Sequence, residues 1–382
     1  MPSTTTTPPA RPTPRTPRSD GASPQTPLLE VRGVSKRFPV RLGLLEKGYV
    51  SAVDTLSFAV ERGTTMGIVG ESGCGKSTAA RLILGLIAID EGDVLFEGRN
   101  VVAARRMLQL RPDQKALRRN MQMVFQDPHS SLNPRASIGE IIAFPMKVHG
   151  VSKEQQRDRT DQLLRQVGLH PNHASYYPHQ MSGGQRQRVN IARALALSPK
   201  LVVCDEAVSA LDKSVQAQVL NLLKDLQEEL DLTYIFISHD LNVVEYVSDD
   251  VCVMYLGQAV ELCAADALYA NPLHPYSRAL LASIPRLLDD EPMREAQPLE
   301  GEVPSPLNPP SGCRFRTRCP FVMDVCAEQR PSLSEPEPGH FVACHLFASA
   351  SGAPEAARPM ASLGREAGVA VPQRGTPATG RV

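Results

Sequence analysis

The feature that most constrains the fold is a glycine-rich loop from Gly70 to Thr78. Its sequence, Gly-Glu-Ser-Gly-Cys-Gly-Lys-Ser-Thr, fits the pattern G-x-x-x-x-G-K followed by Ser or Thr. The apolar residues 65–69 before it predict a short buried strand, and residues 76–86 after it predict a helix. A chance glycine turn would not be expected between such neighbours, so this order predicts an α/β fold with a phosphate-binding loop.

Each residue type in this loop suits the binding of a nucleoside triphosphate. Glycines let backbone N–H groups turn inward around the phosphates, and the helix that follows points its positive end at them. Lys76 supplies a positive charge toward the β- and γ-phosphates, and the Ser77 hydroxyl can ligand Mg²⁺. The residues predicted to bind the nucleotide here are Gly70, Ser72, Gly73, Cys74, Gly75, Lys76, Ser77 and Thr78.

A second apolar strand, predicted at 201–204, supplies two carboxylates at its end. Asp205 is placed to hold Mg²⁺ through water, and Glu206 can polarise an attacking water as a general base. An apolar run followed by Asp-Glu is a weak signal alone, but together with the phosphate loop it predicts hydrolysis of ATP with Mg²⁺. Further apolar strands at 65–69 and 234–237 alternate with helices, which predicts a parallel sheet covered on both faces.

A second anion-binding helix end is predicted at Met-Ser-Gly-Gly-Gln, residues 181–185. Ser182 would cap the helix, while Gly183 and Gly184 expose backbone N–H groups and Gln185 completes the segment. An ordinary capped helix would look similar. The position just ahead of the Asp-Glu strand favours a functional role.

These motifs together resemble the ATPases of the ABC transporter family, whose signature is Leu-Ser-Gly-Gly-Gln, with Met181 in place of Leu. The resemblance implies that Gln126 contacts Mg²⁺ and senses the membrane partner, and that His239 contacts the γ-phosphate. It also implies that Asp212 belongs to the D-loop. Phe38 is the expected aromatic platform for adenine, with Tyr49 as the competitor, although an aromatic residue there is more often part of the core. The implied catalytic set is Glu206, His239 and Gln126.

The family resemblance also implies an architecture. It predicts a P-loop NTPase with a RecA-like parallel-sheet core, an N-terminal antiparallel β-subdomain, an inserted helical subdomain at about 114–197 and a small cysteine-containing C-terminal extension. The ATPase domain is placed at 28–285 and the extension at 286–347. Segments 1–27 and 348–382, rich in proline and polar residues, are predicted to be disordered tails.

The extension resembles that of ATPases from oligopeptide and dipeptide importers. The matching segments are 271–280 (Asn-Pro-Leu-His-Pro-Tyr-Ser-Arg-Ala-Leu), 301–306 (Gly-Glu-Val-Pro-Ser-Pro), 309–313 (Pro-Pro-Ser-Gly-Cys) and 315–320 (Phe-Arg-Thr-Arg-Cys-Pro). The resemblance runs from about residue 28 to 346 and is the only ground for predicting peptide cargo. Nickel importers and some sugar importers share this extension, so those cargoes remain alternatives.

Four of the eight cysteines crowd this extension, namely Cys313, Cys319, Cys326 and Cys344. Four thiolates suit an iron–sulfur cluster or zinc, but no C-x-x-C pair is present, which weakens the zinc interpretation. In the peptide-importer family such cysteines are associated with a [4Fe–4S] cluster. Reduced thiols without metal are the remaining alternative.

Composition limits the partners that the chain could have. Its 41 basic and 41 acidic residues give a net charge of +0, so no nucleic-acid partner is expected. No run approaches the roughly 18 apolar residues of a membrane helix, and no secretory signal is visible. The resemblance therefore implies a peripheral ATPase on the cytoplasmic face of the cell (inner) membrane.

The expected partners follow from the same resemblance. They are a second ATPase subunit, identical or related, two transmembrane permeases, and an extracellular or periplasmic solute-binding protein. Two alternatives remain: a soluble ABC ATPase that acts on ribosomes or DNA, and a non-catalytic nucleotide-binding regulator. Intact Lys76, Asp205, Glu206 and His239 argue against the regulator.

Overall fold

A computed structural model describes residues 26–41, 47–101, 112–127, 131–284 and 301–347. The tails predicted at 1–27 and 348–382 lie outside the described residues, apart from residues 26 and 27, as do residues 286–300 of the predicted extension.

Twelve strands and ten α-helices are named here within those ranges. The strands are β1 (Leu29–Arg41), β2 (Lys47–Val60), β3 (Thr65–Val69), β4 (Glu91–Phe96), β5 (Arg99–Asn100), β6 (Met121–Val124), β7 (Leu201–Asp205), β8 (Thr233–Ile237), β9 (Asp250–Tyr255), β10 (Gln258–Ala264), β11 (Ser334–Glu337) and β12 (His340–Val342). The helices are α1 (Lys76–Ile83), α2 (Pro112–Asn120), α3 (Ile138–Val148), α4 (Lys153–Gln166), α5 (Gly183–Leu195), α6 (Lys213–Leu230), α7 (Leu241–Val247), α8 (Ala265–Ala270), α9 (Pro275–Ala282) and α10 (Val325–Glu328).

The N-terminal part forms an antiparallel sheet of four strands in the order β2-β1-β4-β5, as predicted for this subdomain. Alternate side chains of β1, such as Leu29 and Val31, are buried because successive residues of a strand point to opposite faces. They share one apolar cluster with Ile68 of β3 and Leu82 of α1. This cluster joins the small sheet to the first strand and helix of the core.

The core is an eight-stranded sheet in the order β11-β12-β10-β9-β3-β8-β7-β6. The run β9-β3-β8-β7-β6 is parallel throughout, which confirms the predicted parallel-sheet core. In the pairing register Ile68 of β3 and Asp205 of β7 both lie beside Ile237 of β8. The ends of these three strands therefore meet at one edge of the sheet, and the segments that follow them form the site.

One strand lies inside the stretch that was predicted to be mostly helical. Residues 121–124 form β6 and pair in parallel with β7, so the core sheet continues into the segment 114–197. A four-residue apolar run carries too little periodicity to distinguish a strand from one helical turn. The helical layer that follows contains α3, α4 and α5, each of which begins at a serine with a capping box.

The C-terminal extension continues the core sheet. Strand β12 pairs with β10, with Glu261 opposite Val342 and Leu262 opposite Phe341, and β11 pairs with β12. Phe315 is 2% exposed and its ring lies 5.3 Å from that of Tyr255, centroid to centroid. These strands were not predicted from the sequence, because they are only four and three residues long and show no clear alternation. No helix in the described ranges combines the length and apolar character needed to cross a bilayer.

A buried carboxylate connects the extension to the sheet. Glu261 of β10 is fully buried and accepts hydrogen bonds from the backbone N–H groups of Leu273 (2.7 Å) and His274 (2.9 Å). His340 of β12 places Nε2 2.7 Å from Glu261 Oε1. Burial alone would raise the pKa of Glu261, but these hydrogen bonds outweigh it and the pKa is lowered. The carboxylate is thus an ionised acceptor shared by two elements.

We predict that Glu261→Ala loosens this junction. The change leaves two buried N–H groups and a buried imidazole without their acceptor, a loss expected to cost about 3 kcal/mol. Thermal unfolding and limited proteolysis of the extension measure it, with Glu302→Ala, an exposed carboxylate of the same extension, as the control. Equal melting temperatures and equal cleavage rates for both variants would contradict the assigned role of Glu261.

Candidate functional site

The phosphate loop follows β3 and is held in shape by two glycines that cannot be replaced. Gly70 and Gly75 have φ values of 145° and 105°. A Cβ on Gly70 would lie 2.1 Å from the carbonyl oxygen of Met254, and a Cβ on Gly75 would lie 2.1 Å from that of Ala52. The loop therefore closes against the backbone of β9 and β2, the kind of tight glycine turn whose N–H groups can bind phosphate.

The lysine and cysteine of this loop have different environments. Lys76 is 5% exposed, and its Nζ donates to the carbonyl oxygens of Gly70 (2.7 Å) and Glu71 (3.0 Å), which fixes the ammonium group at the loop. Cys74 is buried in the cluster beneath the loop, and burial raises the pKa of its thiol although Lys76 opposes the shift. Any contact of Cys74 with phosphate would therefore use its backbone N–H. Ser72 and Gly73 are exposed, and Thr78 is half-buried.

Two of the three predicted magnesium ligands, Ser77 and Asp205, meet directly, whereas the third, Gln126, donates its hydrogen bond to Glu206. Ser77 Oγ donates to Asp205 Oδ1 at 2.9 Å. Burial raises the pKa of Asp205 and the charge of Glu206 adds to the shift, whereas the Ser77 hydrogen bond lowers it. A divalent cation would offset the cost of keeping this carboxylate ionised, and a hydroxyl with a carboxylate is the oxygen donor set that Mg²⁺ prefers. The residues present therefore fit Mg²⁺.

The three predicted catalytic residues converge on one point. Gln126 Nε2 donates to Glu206 Oε2 at 2.7 Å, and His239 Nδ1 lies 3.6 Å from Glu206 Oε1. Glu206 has a φ of 47°, and its backbone N–H donates to the carbonyl oxygen of Ile237 at 2.9 Å. A left-handed φ at a non-glycine residue is strained, and strained residues cluster at functional sites. The geometry presents a carboxylate that can take a proton from water, with an amide and an imidazole beside it.

The signature segment begins α5 as predicted. Ser182 Oγ accepts from Gln185 N at 3.3 Å, and Gln185 Oε1 accepts from Ser182 N at 3.0 Å, so the Gln185 oxygen serves the cap. The two glycines differ. A Cβ on Gly184 would lie 2.4 Å from Val215 Cγ1 of α6, whereas a Cβ on Gly183 would meet nothing closer than 3.8 Å. Gly184 is therefore also needed for close packing of α5 on α6, which sequence reasoning missed.

Asp212 lies at the start of a helix, and the two candidate adenine platforms lie on a β-hairpin. Asp212 caps α6, accepting from Val215 N at 2.9 Å and Ser214 Oγ at 2.7 Å, and these hydrogen bonds lower its pKa. Phe38 and Tyr49 lie on the β1–β2 hairpin, where Phe38 pairs with Val50 and Tyr49 with Pro39. Neighbouring residues of a strand face opposite sides, so Phe38 and Tyr49 project from opposite faces and only one can face a nucleotide. Phe38 stays the prediction.

The four extension cysteines form a loose group of free thiols. Backbone N–H groups approach three of the sulfurs, from Phe315 and Arg316 at Cys313, from Phe321 at Cys319 and from Leu346 at Cys344. Burial raises the pKa of all three thiols, to about 11 for Cys344, and nearby cysteines add to each shift.

Within the described ranges, three ligand atoms that lie within 4.8 Å of one another occur at Glu261, Cys263 and His340. The Glu261 carboxylate there is occupied by the hydrogen bonds given above.

The arrangement of phosphate loop, Ser77–Asp205 pair and Glu206 on the edge of a parallel sheet defines a Mg²⁺-dependent P-loop ATPase. Comparisons with known protein families show which kind of P-loop ATPase this chain resembles. The sequence profile described as "ABC transporter" matches residues 53–209, and the one described as "Oligopeptide/dipeptide transporter, C-terminal region" matches residues 260–326.

Curated relatives match over nearly their whole length. The oligopeptide transport ATP-binding protein AppF of Bacillus subtilis is 52% identical over 330 residues, covering 85% of this chain and 99% of that protein. The putative peptide import ATP-binding protein BOV_A0347 of Brucella ovis is 49% identical over 323 residues, covering 84% and 98%. The chain belongs to the ABC transporter family, as an ATPase that carries the C-terminal region of the oligopeptide/dipeptide branch.

Solved structures agree on the fold. CbiO1 of Clostridium perfringens, described as part of the ABC transporter complex cbiONQ, superposes with a TM-score of 0.55 at 25% identity, covering 65% of this chain and 92% of that one. The cassette MJ0796, described as a dimer in a post-hydrolysis state bound to ADP and Pi, has a TM-score of 0.54 at 28% identity, covering 62% and 98%.

We predict that Glu206→Gln binds ATP but hydrolyses it at least about 100-fold more slowly, because the amide cannot accept the proton of the attacking water. The substitution keeps size and hydrogen-bonding capacity, so Gln126 retains a partner. Equilibrium binding of ATP and steady-state phosphate release measure the two properties separately. Substantial turnover by the variant would show that another group is the base.

Proposed function

We propose that this chain hydrolyses ATP to power the import of oligopeptides or dipeptides through partner permeases. The supporting observation is that a complete hydrolytic group, Gln126, Glu206 and His239, occurs in one chain with the C-terminal region of the peptide-transporter branch. Nickel or another small solute is the alternative cargo, since the resemblance of the extension also covers importers of such solutes.

The working unit in this proposal is a dimer of ATPase subunits, identical or related. The N-terminal end of α5, with Ser182 and Gly183 accessible, is an anion-binding helix end in a layer separate from the phosphate loop. In the proposed dimer it completes the ATP site of the facing subunit, with Asp212 near the junction. The dimeric, nucleotide-bound MJ0796 cassette supports this arrangement.

Exposed aromatic side chains mark the proposed contact with the permeases. Phe144 of α3 is 62% exposed, and Phe125, Tyr176 and Tyr177 are also exposed. Phe125 directly precedes Gln126, whose amide contacts Glu206. A permease segment that displaces Phe125 would therefore also move Gln126 and alter its hydrogen bond to the catalytic carboxylate of Glu206. In this proposal the ATPase binds peripherally at the cytoplasmic face of the membrane, and an external or periplasmic solute-binding protein delivers the cargo.

Uptake in the native host tests the cargo directly. We expect deletion of the gene to abolish uptake of a labelled di- or oligopeptide, and wild-type protein to restore it, while Glu206→Gln at equal abundance does not. Labelled nickel is measured in parallel. Restored nickel uptake with unchanged peptide uptake would assign the chain to the alternative cargo.

We further propose that the four extension cysteines hold a [4Fe–4S] cluster as a structural staple. Burial raises the pKa of these thiols, and backbone N–H groups directed at three of the sulfurs oppose part of that shift; such N–H groups would stabilise thiolate ligands of a bound cluster. The four thiols lie near enough to influence one another's charge, and four thiolates are the ligand set of a [4Fe–4S] cluster. The segment contains no C-x-x-C pair, which weakens the zinc alternative.

Metal analysis of anaerobically purified protein tests this staple. We expect about four iron and four sulfide per chain and loss of most iron in Cys326→Ser, whereas Cys252→Ala, a cysteine of β9 in the core, keeps it. The extension of the serine variant should also be cut faster by protease, because a segment this small gains order from its metal. Zinc, or no metal in the wild-type protein, would contradict the proposal.

A further inference from the structure

The phosphate loop contains a carboxylate, which is unexpected in a site for a triphosphate. Glu71 lies between Gly70 and Ser72, on the loop that must bind a strongly anionic ligand. An uncompensated negative charge at this position would repel the phosphates, because like charges a few ångströms apart in a partly buried site interact strongly. The side chain of Glu71 is 24% exposed, so water screens it only in part.

Arg318 of the C-terminal extension neutralises this carboxylate. Its Nη1 donates to Glu71 Oε2 at 2.8 Å and its Nη2 donates to Glu71 Oε1 at 3.2 Å. The Arg318 side chain is 6% exposed, so this is a bidentate and largely buried pair. The two residues are 247 positions apart in the sequence, and the contact joins the extension directly to the ATP site.

The backbone of the same loop residue is held from the C-terminal side as well. Glu71 N–H donates to the hydroxyl of Tyr276 at 2.9 Å. Tyr276 is fully buried, and its ring lies 5.5 Å from that of Phe315, centroid to centroid. Both the side chain and the N–H of Glu71 are therefore directed by residues beyond the core ATPase motifs.

We infer that Arg318 is a positioning residue for nucleotide binding, which holds the Glu71 carboxylate and cancels its charge so that the loop can accept a triphosphate. The segment around Arg318 has other anchors. Phe315 packs in the aromatic cluster, and Arg314 forms an ion pair with Asp54 and donates to the Leu256 carbonyl oxygen. Loss of the Arg318 side chain would thus remove the compensating charge while the segment stays docked.

Equilibrium binding of Mg²⁺-ATP to the full chain tests the inference. We expect Arg318→Ala to raise the dissociation constant of Mg²⁺-ATP about fivefold to tenfold, because the negative charge of Glu71 would be left uncompensated beside the phosphates. The dissociation constant of Arg318→Lys should lie between those of this variant and the wild type, because a single ammonium group replaces the bidentate contact. In turnover assays KM for ATP should rise by a similar factor, with kcat changed by less than about twofold.

A second substitution separates charge compensation from a purely structural role. In Glu71→Gln/Arg318→Ala the repelling charge is gone, so ATP affinity should return to within about threefold of the wild type. Arg316→Ala is the matched control, because Arg316, like Arg318, lies between Cys313 and Cys319 but donates to Ser311. This variant should bind ATP as tightly as the wild type.

Two results would overturn the inference. One is an Arg318→Ala protein that binds ATP as tightly as the wild type. The other is a double variant that stays as weak as Arg318→Ala, which would mean that the arginine only shapes the loop. The inference depends on ATP binding and not on the cargo, so peptide uptake could fail while the rescue by Glu71→Gln still holds.

Discussion

The whole site depends on the meeting of three parallel strand ends at one edge of the core sheet. Strands β3, β7 and β8 are paired so that Ile68, Asp205 and Ile237 lie side by side. The phosphate loop, the two carboxylates and His239 follow these strands directly, because the carboxyl ends of parallel strands share an edge. Ser77 thereby donates to Asp205 at 2.9 Å, and His239 Nδ1 lies 3.6 Å from Glu206 Oε1. The fold supplies this edge, and the motifs supply the chemistry.

The C-terminal part of the chain also contacts the site that lies at this edge of the sheet. Its strands extend the sheet through β10, and a buried carboxylate, Glu261, receives hydrogen bonds from both the extension and the start of α9. From this base the extension reaches the phosphate loop through Arg318. The segment that matches the oligopeptide/dipeptide C-terminal region is thus in direct contact with the phosphate loop. Loss of the folded structure of the extension should therefore alter the affinity for nucleotide as well as the stability of the protein.

The structure confirms the parallel core, the antiparallel N-terminal sheet and the helix cap at Ser182, and it brings Ser77 to Asp205. The nucleotide-binding and catalytic roles of these residues stay predictions. Sequence reasoning could predict these features because each depends on a short segment of the chain. It failed where a role depends on a distant partner. Strand β6 is too short to show a period, the need for Gly184 comes from Val215 on another helix, and the pairing of Glu71 with Arg318 spans most of the chain. Such contacts leave no pattern in either segment alone.

The central claim is that ATP is held between the lysine loop of one subunit and the serine–glycine helix end of another. The most direct measurement is a structure of the assembled transporter that carries Glu206→Gln and is trapped with Mg²⁺-ATP. The account predicts that Ser182 Oγ and the Gly184 N–H lie within hydrogen-bonding distance of the γ-phosphate bound to the facing cassette. A nucleotide-bound assembly in which both groups lie far from every triphosphate would contradict it.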